Sequence, residues 1–174
     1  DASGERLARE SFDRLVSSDL GRAWQTALAI ARRTGHAVEP DERLRERRFG
    51  VGEGLTYAEL DARYPNASSR LARIDPDYVI PGGESRRALV GRVREAFESI
   101  ARDAAGGRVA VVCHGGVLAA LYRIVHAVAV DEPRIIPIPN ASYNAIRYES
   151  GRWAVESWGD TGHLAGLGEV LVEP

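Results

Sequence analysis

The 174-residue chain has no lysine, no methionine and a single cysteine. Without lysine there can be no Walker A phosphate loop and no Schiff-base amine. One cysteine excludes a disulfide framework and fits a reducing, cytoplasmic setting. Methionine is missing even at position 1, which predicts that the native chain begins upstream of Asp1. Neither charge sign dominates. All 23 basic residues are arginine against 25 acidic ones, for a formal net charge of -2 and a pI near 6.1. Such a chain offers no basic field for nucleic acid or for an anionic membrane. Long hydrophobic runs are also lacking. The most apolar window, Val109 to Val130, is broken by His114, Gly115, Gly116, Arg123 and His126, so it reads as a buried strand and then a helix, not as a membrane span.

What is present alternates strand and helix with no linker or repeat, which predicts one α/β domain over residues 1–174. Asp1 to Ser11 resembles the end of a helix, and Asp13 to Ser18 is a short strand. Ser18 or Asp19 is a candidate cap for a helix running to about Arg33, stopped by Gly35, with Ala27 and Ile30 on its inner face. His36 to Pro40 fits an edge strand and Arg45 to Gly54 a charged, glycine-punctuated loop. Thr56 with Glu59 makes a capping box for a helix to Tyr64. Pro81-Gly82-Gly83 breaks the chain before an amphipathic helix from Ser85 to Ala104, in which Leu89, Val93, Ala96, Phe97 and Ile100 keep helical spacing. After His114 a helix is expected to about Val130, then an Arg134 to Pro139 segment and a hairpin of Tyr143 to Glu149 with Trp153 to Trp158 around Gly151. The Ile135-Ile136-Pro137-Ile138 run fits a core or edge strand first and a homodimer contact second.

The chemistry gathers at the joints. Val109 to His114 followed by Gly115 and Gly116 reads as a buried strand turning into a helix, the place where open α/β sheets hold anions. By itself His114 is as readily an imidazole satisfied at a strand end. Arg22 occupies the first turn after the Ser17-Ser18-Asp19 turn, where a guanidinium can fork onto a phosphate, although a lone arginine in an arginine-rich chain is ordinarily a surface residue. Glu46 lies among Arg45, Arg47 and Arg48, where the usual reading is a solvated ion pair. Glu53 and Glu84 are glycine-flanked acids of a kind common in turns. A cysteine-dependent phosphatase is set aside, because its loop needs an arginine six residues after Cys113 and Ala119 stands there.

Taken in order, SSDLGRAWQTA, LRERRFGVGEGLTYAEL, PGGES, VAVVCHGG and PNASYNAI resemble the histidine phosphatase superfamily, also called phosphoglycerate mutase-like, over about Asp13 to His163. The resemblance implies a three-layer α/β/α sandwich with a mostly parallel central sheet. It also implies a phosphohistidine intermediate, no metal and no cofactor, and a small phosphorylated substrate. On it Arg22 is a pocket arginine, His114 the second pocket histidine and Glu46 the general acid. The Gly115 N–H, Asn140 and Ser142 are supporting groups, and Glu84 belongs to the surrounding shell.

The chain departs from that pattern in one respect: it has no Arg-His-Gly motif, and so neither the nucleophilic histidine nor the first strand that carries it. His36, His126 and His163 have the wrong neighbours. Three readings follow. The first is a phosphomonoester hydrolase whose nucleophile lies upstream of residue 1. The second is a phosphoglycerate mutase of the same family, which the short Gly54 to Pro81 cap disfavours. The third is a phosphate-binding or scaffold domain without turnover.

Overall fold

The computed structural model describes residues 2–72, 75–132 and 136–167. Its centre is a parallel sheet in the order β2-β1-β3, formed by β1 (Arg14–Ser17), β2 (Val38–Pro40) and β3 (Val109–Val112). Leu15 stands between Val38 and Ala110, and Ser17 between Pro40 and Val112. As the middle strand, β1 is covered on both faces, and Leu15, Val16 and Ser17 are all buried, as parallel sheets require.

The helices form two layers. α1 (Ala2–Leu7) lies on α2 (Gly21–Thr34), which sets Ala23, Ala27 and Ile30 inward against β1 and β3. On the other side α5 (Arg86–Asp103) packs on α6 (Gly115–His126). Val93, Phe97, Val117 and Leu121 build the main core there with Val16 of β1 and Leu44. The mixed α/β class with a parallel central sheet is therefore the one expected. Two short helices, α3 (Tyr57–Arg63) and α4 (Ala67–Ala72), make a separate cap held by Leu60, Ala67 and Ile80. The Thr56–Glu59 capping box forms as its sequence predicts.

β4 (Tyr143–Glu149) and β5 (Arg152–Asp160) form an antiparallel hairpin. Its turn residues Ser150 and Gly151 both have positive φ, 51° and 78°, the combination that matches strand twist. The hairpin leans on the same helical layer as the parallel sheet. Trp153 sets its edge 6.5 Å from Phe97, and Trp158 lies 5.3 Å from Tyr122 of α6. Yet it is a sheet of its own. Among the described residues, the edge of β3 away from β1 pairs with no strand.

Several boundaries differ from the sequence reading. α6 stops at His126, short of Val130, because Ala127 turns left-handed at φ 52° and the Arg123 guanidinium pulls the carbonyls of Ala129 and Glu132 back onto the helix. α2 is not capped by a Ser18 or Asp19 side chain: Leu20 is its N-cap, and both candidates are engaged elsewhere. α4 has no counterpart in the sequence reading. Of the Arg134 to Pro139 segment, 134 and 135 lie outside the described residues, and 136–138 form no strand. Ile138 is 3% exposed and belongs to the chain's own interior.

Candidate active site

The C-terminal ends of β1 and β3 lie side by side, and the site is built on them. The Ser18 N–H donates to the Val112 carbonyl at 2.9 Å, which continues the ladder one residue past the strands. His114 follows as the N-cap of α6 and is only 6% exposed. Its Nε2 lies 2.8 Å from Oγ of the fully buried Ser18, and the same hydroxyl oxygen accepts from the Leu20 N–H at 3.3 Å. The ring is thereby fixed in orientation from the neighbouring strand. Burial, and then the nearby Arg22 charge, lower the His114 pKa to about 4, so at neutral pH the imidazole is neutral and can donate one proton in a hydrogen bond.

Arg22 projects from the first turn of α2, exposed. Among the described residues, no hydrogen bond or ion pair holds its guanidinium. Its charge is nonetheless felt at His114. Asp19, one turn earlier, is occupied by Arg45 in a two-pronged ion pair that holds its carboxyl below the usual range.

Glu46 reaches the same corner from the loop after a 3-10 turn at Glu42–Leu44, anchored by the fully buried Leu44. Its Oε2 accepts from the Gly116 N–H at 2.9 Å and its Oε1 from the Arg47 N–H at 2.6 Å. The expected solvated ion pair is therefore not what the structure holds: Glu46 sits on the first turn of α6, with the positive end of the helix dipole. Gly116 is required for this approach, because a Cβ there would overlap the Glu46 carboxylate.

Glu84 does not line this corner. Arg92 grips its carboxylate at 2.9 and 2.7 Å and donates to the Arg43 and Arg45 carbonyls, so that α5 is laced to the loop that carries Glu46. The two glycine-rich loops also close on each other: the Glu84 N–H donates to the Arg48 carbonyl and the Val51 N–H to that of Pro81. A Cβ on Gly50, where φ is 52°, would collide with Pro81 and Gly83. Glu53 closes its own turn by accepting from the Phe49 N–H at 3.3 Å. Asn140 is exposed, while Ser142 accepts from Asn144 at 3.2 Å. Among the described residues no side-chain hydrogen bond links either of them to His114.

The other histidines stand apart. His36 stacks on Phe12 at 4.1 Å, His126 lies tilted against Tyr122 at 4.2 Å, and His163 sits in a 3-10 turn after β5. Desolvation pushes the thiol of the half-buried Cys113 up to about 12, which disfavours the thiolate. No three His, Cys, Asp or Glu side chains gather as metal ligands among the described residues. Sequence reasoning missed Arg92, and a signal for it existed: Leu89, Arg92, Val93 and Ala96 put an arginine within the apolar stripe of α5. It also missed the bond from Ser18 to His114, for which spacing gives no sign.

A buried imidazole, an unpaired guanidinium and a carboxylate on a helix's first turn are collected at parallel strand ends of an α/β fold, an arrangement whose chemistry suits an anion. The histidine phosphatase superfamily (branch 1) matches residues 1–161, and the chain belongs to that family. It is 40% identical to the metal-independent phosphoserine phosphatase of Arabidopsis thaliana, over 96% of this chain and 70% of that protein. With the glucosyl-3-phosphoglycerate phosphatase of Mycobacterium tuberculosis the identity is 36%, over 90% of this chain and 78% of the relative. The structure of mycobacterial glucosyl-3-phosphoglycerate phosphatase with inorganic phosphate superposes with a TM-score of 0.79 at 33% identity, covering 94% of this chain and 84% of that one.

Proposed function

We propose that the protein is a phosphomonoester hydrolase that acts on a small phosphorylated metabolite through a phosphohistidine intermediate. The observation that carries this reading is the meeting of His114, Arg22 and Glu46 at the ends of β1 and β3. A phosphate monoester is dianionic near neutral pH and its alkoxide leaves poorly, so the site must stabilise charge on the phosphoryl oxygens and supply a proton to the departing oxygen. Arg22, free of any carboxylate, supplies the first together with the His114 N–H and the Gly115 N–H. Glu46 supplies the second, with a proton held on its carboxyl by the approach of the dianionic phosphate. The P–O bond to the leaving group breaks as a P–N bond forms. Water then attacks phosphorus, with Glu46 taking its proton, and the histidine is released.

His114 is the second histidine of the pair by its His-Gly-Gly setting, so the nucleophilic imidazole is assigned to a segment preceding residue 1. The two phosphatase relatives support hydrolysis, and the metal-independent phosphatase of Arabidopsis supports a reaction without a metal. The small α3–α4 cap gives little cover for holding a reorienting intermediate, which also favours hydrolysis over mutase chemistry. A single free cysteine fits a cytoplasmic setting, and no described helix is long and apolar enough to cross a membrane.

The test is release of inorganic phosphate by the full-length protein from phosphoserine and p-nitrophenyl phosphate, followed beside interconversion of phosphoglycerates. Release with acid-labile phosphorylation of the protein supports the reading. Interconversion without release would assign a mutase, and phosphate binding with no turnover would assign the scaffold reading.

A further inference from the structure

Ser18 spends its polar groups one by one. Its N–H donates to the Val112 carbonyl at 2.9 Å, and its own carbonyl accepts from the Ser17 hydroxyl at 2.8 Å. Its Oγ accepts from the Leu20 N–H at 3.3 Å. What remains is the hydroxyl proton. Ser18 is 0% exposed, so solvent does not take it. Among the described residues the one acceptor within its reach is Nε2 of His114, at 2.8 Å. Were Nε2 the donor, the Ser18 proton would be buried without an acceptor, which is unfavourable. The bond therefore runs from the hydroxyl to the ring.

A neutral imidazole carries a single proton, and the bond made by one nitrogen decides where that proton sits. With Nε2 accepting, it sits on Nδ1. Among the described residues Nδ1 of His114 makes no hydrogen bond, yet it is not a buried atom without a partner, as Nδ1 of His36 and Nδ1 of His163 are. It is the ring nitrogen left open at the strand ends, and Arg22, Glu46, Arg92 and Asp19 are the charged groups that act on the ring. The direction of one buried hydroxyl thus decides what the ring offers an anion. Nδ1–H attracts a phosphoryl oxygen, whereas an Nδ1 lone pair repels it. Burial keeps the ring neutral near pH 7, so a positive charge does not stand in for the correct tautomer.

We propose that Ser18 is a positioning residue that sets the tautomer of His114, its hydroxyl donating to Nε2 so that the neutral ring presents Nδ1–H to a phosphoryl oxygen. The ligand in this statement rests on the phosphatase reading, while the tautomer is a property of the free protein and is tested separately.

The first measurement is two-bond 1H–15N correlation NMR of the full-length protein labelled with 15N-histidine, at pH 7.5 and without phosphate. The His114 signals are assigned by their loss in His114→Asn. Nδ1 is expected at the shift of a protonated nitrogen and Nε2 at that of a lone-pair nitrogen. The reverse pattern, or a ring that averages between the two, would overturn the proposal and leave the phosphatase reading standing. The second measurement is calorimetric binding of inorganic phosphate. Ser18→Ala is expected to weaken it by about 10-fold, the worth of one hydrogen bond, and Ser18→Thr, which keeps the hydroxyl, to restore most of the loss. In a His114→Asn background the side-chain amide N–H takes the place of Nδ1–H and has no tautomer to choose, so there Ser18→Ala is expected to cost little. Equal losses in both backgrounds would mean that Ser18 only holds the strand ends together, and would overturn the proposal. If Ser18→Ala fails to fold, the tautomer of the wild type decides by itself. A protonated Nδ1 in a wild type that binds no phosphate would overturn the phosphatase reading and the donor role with it.

Discussion

His114 gives the structure its most quantitative consequence, because its imidazole is neutral in the fold at a pH where it would be charged in an unfolded chain. The ordinary value is about 6.5, and burial with the Arg22 charge lowers it to about 4 in the folded protein. Between those pH values the unfolded state binds more protons, so stability rises with pH there. The contribution is fully present above about pH 6.5 and declines as pH falls, levelling off below about pH 4. At about 1.36 kcal/mol per pH unit the full span is about 3 kcal/mol, a large part of the stability of about 5–15 kcal/mol usual for a domain. The measurement is urea unfolding of the wild type and of His114→Gln, from pH 7.5 to pH 4 in chloride, with no phosphate or sulfate present. Asp19, Glu39, Asp41 and Asp61 are held low by their partners and also lose their contribution in acid, but they do so in both proteins and drop out of the difference. The stability advantage of the wild type is expected to shrink by about 3 kcal/mol across the window. An inorganic phosphate dianion bound beside the ring should favour its charged form and take up a proton on binding. A difference that stays flat with pH would refute the buried, neutral imidazole and the donor role built on it.

In the full-length protein, Glu46→Gln is expected to slow esters with poor leaving groups by about 10²–10⁴ and p-nitrophenyl phosphate far less, because nitrophenolate needs little help from an acid. Equal losses on both would remove Glu46 from that role. Gly116→Ala separates fold from function: the helix gains propensity by up to about 1 kcal/mol while the new Cβ displaces the Glu46 carboxylate, so the melting temperature should hold as turnover falls, and unchanged turnover would contradict the contact. Arg92→Ala leaves Glu84 without its partner in a largely buried place and should destabilise the protein by about 3 kcal/mol in urea unfolding; a change under about 0.5 kcal/mol, typical of an exposed pair, would deny Arg92 its place in holding the loops. Cys113 should be alkylated by iodoacetamide at pH 8 much more slowly in the native protein than after unfolding in urea, and rapid labelling of the native protein would contradict the raised thiol pKa.

Much of this protein was written in local pattern. The β-branched run before His114, the apolar stripe of α5 from Leu89 to Ile100, the Thr56 capping box and the Ser150-Gly151 hairpin turn each depend on residues within a few positions of one another. Periodicity and turn chemistry report such features directly. The order of motifs placed Arg22, Glu46 and His114 in one family. What the sequence could not show was contact made across the fold. Ser18 meets His114 only because parallel pairing of β1 with β3 brings their ends together, and Arg92 finds Glu84 and the Arg43 and Arg45 carbonyls only once α5 has packed. α6 ends at His126 because Arg123 draws the following carbonyls onto it, which no residue beyond the helix announces. Local conformation follows from neighbours in the chain, whereas burial, charge pairing and the state of the His114 proton follow from neighbours in space, and these only the tertiary structure supplies.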